Sequence, residues 1–127
     1  MSDPKRVLVV DDDPGVRSYL ESTFQSMGYR VVAVTGGEQA IAELDQLQPD
    51  LVTLDVALPG MDGLSTLRSL KSRDPGLPVI MLSGNVKTTT VVAAIKAGAE
   101  DFLEKPFEHE DLQAAARLAL GTRRTRR

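Results

Sequence analysis

Leu54-Asp55-Val56-Ala57-Leu58-Pro59-Gly60-Met61-Asp62-Gly63 follows an apolar run that begins at Leu51. A short apolar run without alternation reads as a strand covered on both faces. This one stops at a carboxylate, and a Pro-Gly turn and an Asp-Gly pair come directly after it. A buried strand that breaks into a loop at an acid is how an α/β protein presents a reactive group at the end of its sheet. Asp55 is therefore the residue on which a functional reading turns.

The same arrangement recurs along the chain. Val7-Leu8-Val9-Val10 reads as a strand that ends in Asp11-Asp12-Asp13. Asp13 before Pro14 is an N-cap with proline at the first helical position. Val16, Leu20, Phe24 and Met27 then form one helical stripe, which Gly28 closes. Val31 to Val34 is a second strand. Thr35-Gly36-Gly37 opens a helix with Ala40, Ile41, Leu44 and Leu47 on one face, stopped by Pro49. The third strand covers Asp50 to Leu54. Asp62 reads as a turn or capping residue for a third helix, marked by Leu64, Leu67 and Leu70 and ended by Asp74-Pro75-Gly76. Pro78 to Leu82 is the fourth strand, ending at Ser83-Gly84. A fourth helix runs from about Lys87 to Lys96 and ends at Gly98. Its Thr88-Thr89-Thr90-Val91-Val92 run is β-branched and a poor helix former, which suits a movable element. Asp101 to Glu104 is a fifth strand, ending at Lys105-Pro106. Glu108 to Leu120 is the last helix, with Leu112, Ala115, Ala116 and Ala119 inward.

Regular alternation of strand and helix implies right-handed crossovers and a parallel sheet covered on both sides. The fold class is α/β, a doubly wound five-stranded parallel sheet. With 127 residues the chain makes one domain, read as residues 1–121, and 122–127 form a basic tail expected to be disordered or to begin a linker. There are no cysteines, so disulfides and thiolate metal sites are excluded. No stretch approaches the roughly 20 apolar residues of a membrane span, and the amino end does not fit a signal peptide. A cytoplasmic protein is expected.

All strands of a parallel sheet end at one edge. Asp11, Asp12, Asp55, Ser83 and Lys105 therefore share a rim, where open α/β sheets bind ligands. Carboxylates gathered there repel one another and raise at least one pKa unless something compensates. A hard divalent cation such as Mg2+ resolves the conflict and leaves a position for a phosphate oxygen. Zinc is not indicated, because the single histidine, His109, reads as a surface residue. Metal, ammonium and hydroxyl together fit a transferring phosphoryl group. A carboxylate can itself be the nucleophile and form an aspartyl-phosphate, and Asp55 is the candidate. Each group alone has a plain structural reading as a cap, a turn or a surface side chain. Their coincidence on four strands of one sheet is what argues for chemistry.

Val9 to Pro14, Asp55 to Gly63, Met81-Leu82-Ser83-Gly84 and Phe102-Leu103-Glu104-Lys105-Pro106-Phe107 together resemble the motifs of receiver domains of bacterial two-component response regulators. The resemblance covers residues 5 to 120. It implies a flavodoxin-like (βα)5 fold with strand order 2-1-3-4-5, and phosphorylation of Asp55 by a sensor histidine kinase, a phosphotransfer protein or a small phosphodonor. It also implies Mg2+ held by Asp12, Asp55 and the backbone carbonyl of Ala57, with Asp11 acting through water. Lys105 would pair with the phosphoryl group, Ser83 would rotate toward it, and Phe102 would follow inward as the switch aromatic. The face of the fourth helix, fifth strand and fifth helix would then change its partners, a homodimer among them. Ser83 stands where threonine is as frequent, and Phe102 where tyrosine is common. Ala57 and Asn85 occupy positions that tune the phosphoryl lifetime. The stretch from Ala94 to Phe107 resembles receivers attached to AAA+ activators of sigma-54 transcription.

Two other classes fit the residues less well. A phosphohydrolase of the aspartyl-phosphate type would carry a second acid two residues after its nucleophile, where this chain has Ala57, and it would have a capping insertion. A pure interaction module would not need the acids, hydroxyl and lysine that are present. The four tail arginines can contact phosphates, but a short tail lacks a readout element, so no nucleic acid is expected on this domain. Gly36-Gly37 lacks the spacing and the lysine of a phosphate loop.

Overall fold

The computed structural model describes residues 3–84 and 87–122. Five strands alternate with five helices: β1 (Arg6–Val10), α1 (Pro14–Ser26), β2 (Arg30–Val34), α2 (Gly37–Leu47), β3 (Leu51–Asp55), α3 (Gly63–Arg73), β4 (Val79–Ser83), α4 (Thr88–Lys96), β5 (Asp101–Glu104) and α5 (His109–Thr122). The strands are parallel and run in the order β2-β1-β3-β4-β5, as expected. Every residue of β3 and β4 is buried, whereas the edge strand β2 is half-exposed.

Strand alternation sorts the core into two layers. Leu8, Val10, Val52, Leu54, Val79 and Met81 face α2, α3 and α4, where Ala40, Leu44, Leu67, Leu70 and Ala94 close the layer. Val7, Val9, Leu51, Ile80 and Leu82 face α1 and α5, against Leu20, Phe24, Leu112, Ala115, Ala116 and Ala119. The inward residues read from the α5 pattern are thus the buried ones.

Boundaries shift by a residue or two, as helix and strand ends do. β3 and β4 each begin one residue later than the apolar pattern indicated and take in Asp55 and Ser83. α5 begins at His109, because Glu108 caps it: the Leu112 N–H donates to the Glu108 carbonyl. The helix runs past Leu120 through Gly121 and takes in Thr122, the first residue of the expected tail; the rest of the tail lies outside the described residues. α2 ends in a left-handed cap at Gln48, with φ 50°. Nothing in the sequence marked a glutamine for that conformation.

One glycine is dictated by the approach of two chain segments. A Cβ on Gly63 would lie 2.5 Å from the Asp55 carbonyl oxygen and 2.6 Å from Val56 Cα, both backbone atoms at the end of β3. Gly63→Ala is accordingly expected to lower stability by about 1–3 kcal/mol through overpacking. Gly76→Ala, where a Cβ meets no atom within 4 Å, should leave the urea midpoint almost unchanged. Equal midpoints for the two variants would refute the close-approach argument.

Candidate functional site

The site forms where β1, β3 and β5 end. Beyond β1 the chain turns sharply: the Asp13 N–H donates to Asp11 Oδ1 at 2.9 Å, and Arg17 Nη1 donates to the Asp11 carbonyl at 2.9 Å. The Asp13 carboxylate accepts from the N–H groups of Gly15 and Val16, capping α1. Of the three consecutive acids, one is therefore spent on the helix. The other two face the sheet edge. Asp62 likewise caps α3, accepting from the Ser65 N–H at 2.7 Å.

Asp11, Asp12 and Asp55 each offer a carboxylate oxygen, and these oxygens lie within 4.8 Å of one another. Asp11 is fully buried and Asp55 nearly so at 5% exposure, while Asp12 is open to solvent. Lys105 reaches over from the end of β5, its Nζ 3.1 Å from Asp11 Oδ2 and 3.4 Å from Asp55 Oδ1. The Lys105 N–H donates to the Ser83 carbonyl at 2.8 Å, so its backbone is tied to β4.

Burial and charge push the site in opposite directions. Desolvation raises the pKa of Asp55 above the ordinary carboxylate value, the neighbouring Asp11 adds to this, and Lys105 together with the Ala57 N–H only partly offsets it. Desolvation disfavours the Lys105 ammonium, but its bonds to Asp11 and Asp55 outweigh that and raise its pKa. Three carboxylates against one ammonium leave two negative charges uncompensated. The donor set is entirely oxygen, two members are buried, and one is open to water. That set fits a hard divalent cation that keeps part of its hydration, Mg2+ foremost.

A family model for the response regulator receiver domain matches residues 7–117. The chain belongs to this family. The receiver domain is 39% identical over 116 residues to the DNA-binding response regulator MtrA of Mycolicibacterium smegmatis, covering 91% of this chain and 50% of that protein. It is also 39% identical over 123 residues to the nitrogen assimilation regulatory protein NtrX of Azorhizobium caulinodans, covering 95% of this chain and 27% of that protein. Among solved structures, the receiver domain of NtrX from Brucella abortus superposes with a TM-score of 0.87 at 38% identity, covering 91% of this chain and 98% of that one. A CheY-like receiver domain from Methanospirillum hungatei gives a TM-score of 0.92 at 26% identity, covering 95% and 97%. The chain spans about half the length of the first curated relatives it matches.

The structure brings Asp11, Asp12, Asp55 and Lys105 of this receiver domain together. Ser83 lies at the end of the neighbouring β4, 5% exposed, paired in register with Glu104. Phe102 is half-buried and packs against the layer formed by α2, α3 and α4. The Ala57 backbone faces the Asp55 carboxylate through its N–H. Asn85 lies outside the described residues. His109 is exposed, as its position in the sequence indicated, yet its ring is bonded to Thr23 and stacked on Tyr19. Neither α1 residue stood out in the sequence, because both fit an ordinary helix. Among the described residues no helix is long and apolar enough to cross a membrane.

The raised Asp55 pKa has a definite consequence for stability. A carboxyl whose folded-state pKa lies above its unfolded value opposes folding once ionised. Its contribution is fully present below the ordinary value of 3.8 and is lost as pH rises through the folded value. Asp55→Asn should therefore unfold at higher urea than the parent at pH 7, and the gap should close as the pH is lowered toward 4. A parent as stable as the variant at pH 7 would contradict this electrostatic reading.

Proposed function

We propose that Asp55 is the phosphoacceptor of a two-component phosphorelay. An Asp55 carboxylate oxygen attacks the phosphorus of a donor, a phosphohistidine of a sensor kinase or phosphotransfer protein, or a small acyl phosphate. The bond from phosphorus to the donor's leaving atom breaks, and that atom keeps the electron pair. Asp12, Asp55 and the Ala57 carbonyl would hold Mg2+, with Asp11 behind them. The ion supplies neutralisation of charge on the transferring group. Lys105 carries the rest: its ammonium already spans Asp11 and Asp55, and moving to a phosphoryl oxygen keeps it beside a negative group. The new group brings about two negative charges and strong acceptor oxygens. The Ser83 hydroxyl is drawn to it, and Phe102 and the start of α4 repack.

That repacking alters the face made by α4, β5 and α5. Val92, Ile95 and Leu118 are 45%, 50% and 70% exposed there, which supports a contact surface for a second copy or an output domain. The phosphoryl group shifts the two states only by as much as it binds one of them better. Residues 1–121 act as the receiver and the basic stretch 122–127 as the start of a linker. A downstream domain acting on transcription is the output: the name of the DNA-binding relative supports one that binds DNA, and the resemblance of Ala94 to Phe107 supports one of the sigma-54 activator kind. The protein is a cytoplasmic signalling module whose only chemistry is its own phosphorylation and hydrolysis; the receiver itself does not bind nucleic acid.

The observation that carries this reading is one lysine ammonium shared by two buried acids at the end of adjacent central strands. Incubation with acetyl phosphate and Mg2+ should label the parent, while chelation of the metal and Asp55→Asn should each reduce labelling to background. Lys105→Ala should lower labelling about a hundredfold, the scale expected when a charge-stabilising donor is removed. Labelling of Asp55→Asn at the parental level would refute the assignment. Multiple-turnover release of phosphate from ordinary phosphomonoesters would favour a phosphohydrolase instead.

A further inference from the structure

The loop that delivers Lys105 is anchored at both ends. Its β4 side is held by the bond from the Lys105 N–H to Ser83. Its other side is held by α1, through three contacts. The Tyr19 hydroxyl donates to the Phe107 carbonyl at 3.2 Å. The Tyr19 ring stacks on His109, with centroids 4.3 Å apart and planes 25° from parallel. His109 Nδ1 makes a short hydrogen bond with Thr23 Oγ1.

The direction of that last bond depends on the tautomer of His109. A threonine hydroxyl has one proton. Thr23 Oγ1 donates it to the Tyr19 carbonyl one helical turn back, at 2.9 Å. With that bond made, the same oxygen accepts toward His109, and the arrangement calls for a hydrogen on Nδ1. Thr23 is 1% exposed, and no competing water is needed to satisfy it. Neutral imidazole would then be the Nδ1–H tautomer, with Nε2 bare. Desolvation raises the Tyr19 pKa, and the charges of Glu108 just before α5 and of Asp111 and Glu110 in its first turn add to this, keeping its hydroxyl a donor.

We propose that Tyr19, Thr23 and His109 form a latch from α1 to the start of α5, in which the His109 Nδ1–H and the Tyr19 hydroxyl hold the segment after Lys105 so that its ammonium rests over Asp11 and Asp55. His109 is a positioning residue: it touches neither acid and acts through the backbone of Phe107 and Glu108. The proposal rests on the phosphoacceptor reading only for its effect on labelling. The latch itself is defined without phosphate.

Nitrogen NMR of the whole chain at a pH where the ring is neutral should show a proton on His109 Nδ1 and none on Nε2. The Nε2–H tautomer would overturn the proposal. The Lys105 ammonium should give a resolved signal in a spectrum selective for lysine Nζ, since it is held between two carboxylates. His109→Ala and Thr23→Val should broaden that signal and slow labelling by acetyl phosphate about tenfold, as misplacement of a reacting group does. His109→Asn places an N–H donor where Nδ1 was and should restore both, whereas His109→Gln, whose amide sits at the Nε2 position, should not. An unchanged ammonium signal in His109→Ala, or equal rescue by Asn and Gln, would also overturn it. If the parent takes no label at all, the phosphoacceptor reading fails, and the tautomer and the ammonium signal still decide the latch.

Discussion

The like charges buried at the end of β1 and β3 are the constraint around which this fold is arranged. Asp11 and Asp55 follow Val10 and Leu54, which are partners in the register of the two central strands, so neither acid can retreat from the other without breaking the sheet. Burial deprives both of water. Lys105 is what makes the pair tolerable, and it reaches them only because β4 places β5 on the far side of β3. Buried polar groups that lack full compensation are costly and are retained where they work. Here the shortfall of positive charge is one that a bound cation would relieve.

The alternation of the strands adds a second feature. Asp55 and, by extension, Asp11 and Lys105 continue the register of Leu51, Val9 and Leu103, which face α1 and α5. Ser83 continues the register of Met81, on the face where Phe102 also packs, toward α3 and α4. The acids and the lysine thus sit over one layer, and the hydroxyl and the aromatic belong to the other. Any charge placed on Asp55 is felt across the sheet edge through the end of β4. A response on the α4 side then requires no strand to move, only side chains that already flank that edge.

Much of this was legible in the chain itself. Apolar runs such as Leu51 to Leu54 have no alternation, because both faces are covered, and each ends at a polar group. That pattern identifies both the parallel sheet and the rim. Asp13-Pro14 and Asp62 were readable as caps because capping is local. What escaped was long-range or conformational. The Thr23–His109 bond spans 86 positions, and Thr23 looks like any helix threonine until its back-bond to Tyr19 is seen. Gly63 reads as a turn residue; only the folded path shows that the Asp55 backbone excludes a side chain there. Gln48 adopts a left-handed cap that its residue type does not advertise.

The fourth helix shows how a weak element can be useful. Its nine residues begin at Thr88, and its N-cap, Lys87, makes no side-chain cap bond. Three threonines and two valines in sequence lose rotamer freedom in a helix. Only Ala94 is buried, while Val92 and Ile95 are left half-exposed. Helices this short depend on tertiary packing for their stability, and this one has little. α5, by contrast, buries Leu112, Ala115, Ala116 and Ala119 against β-strand residues and is tied to α1 through His109 and Phe107. The two helices flank the same edge strand, one loosely and one firmly. A perturbation arriving at Ser83 therefore finds α4 easier to displace than α5. On physical grounds, the latch side would keep the lysine in place while the other side of the sheet edge moves.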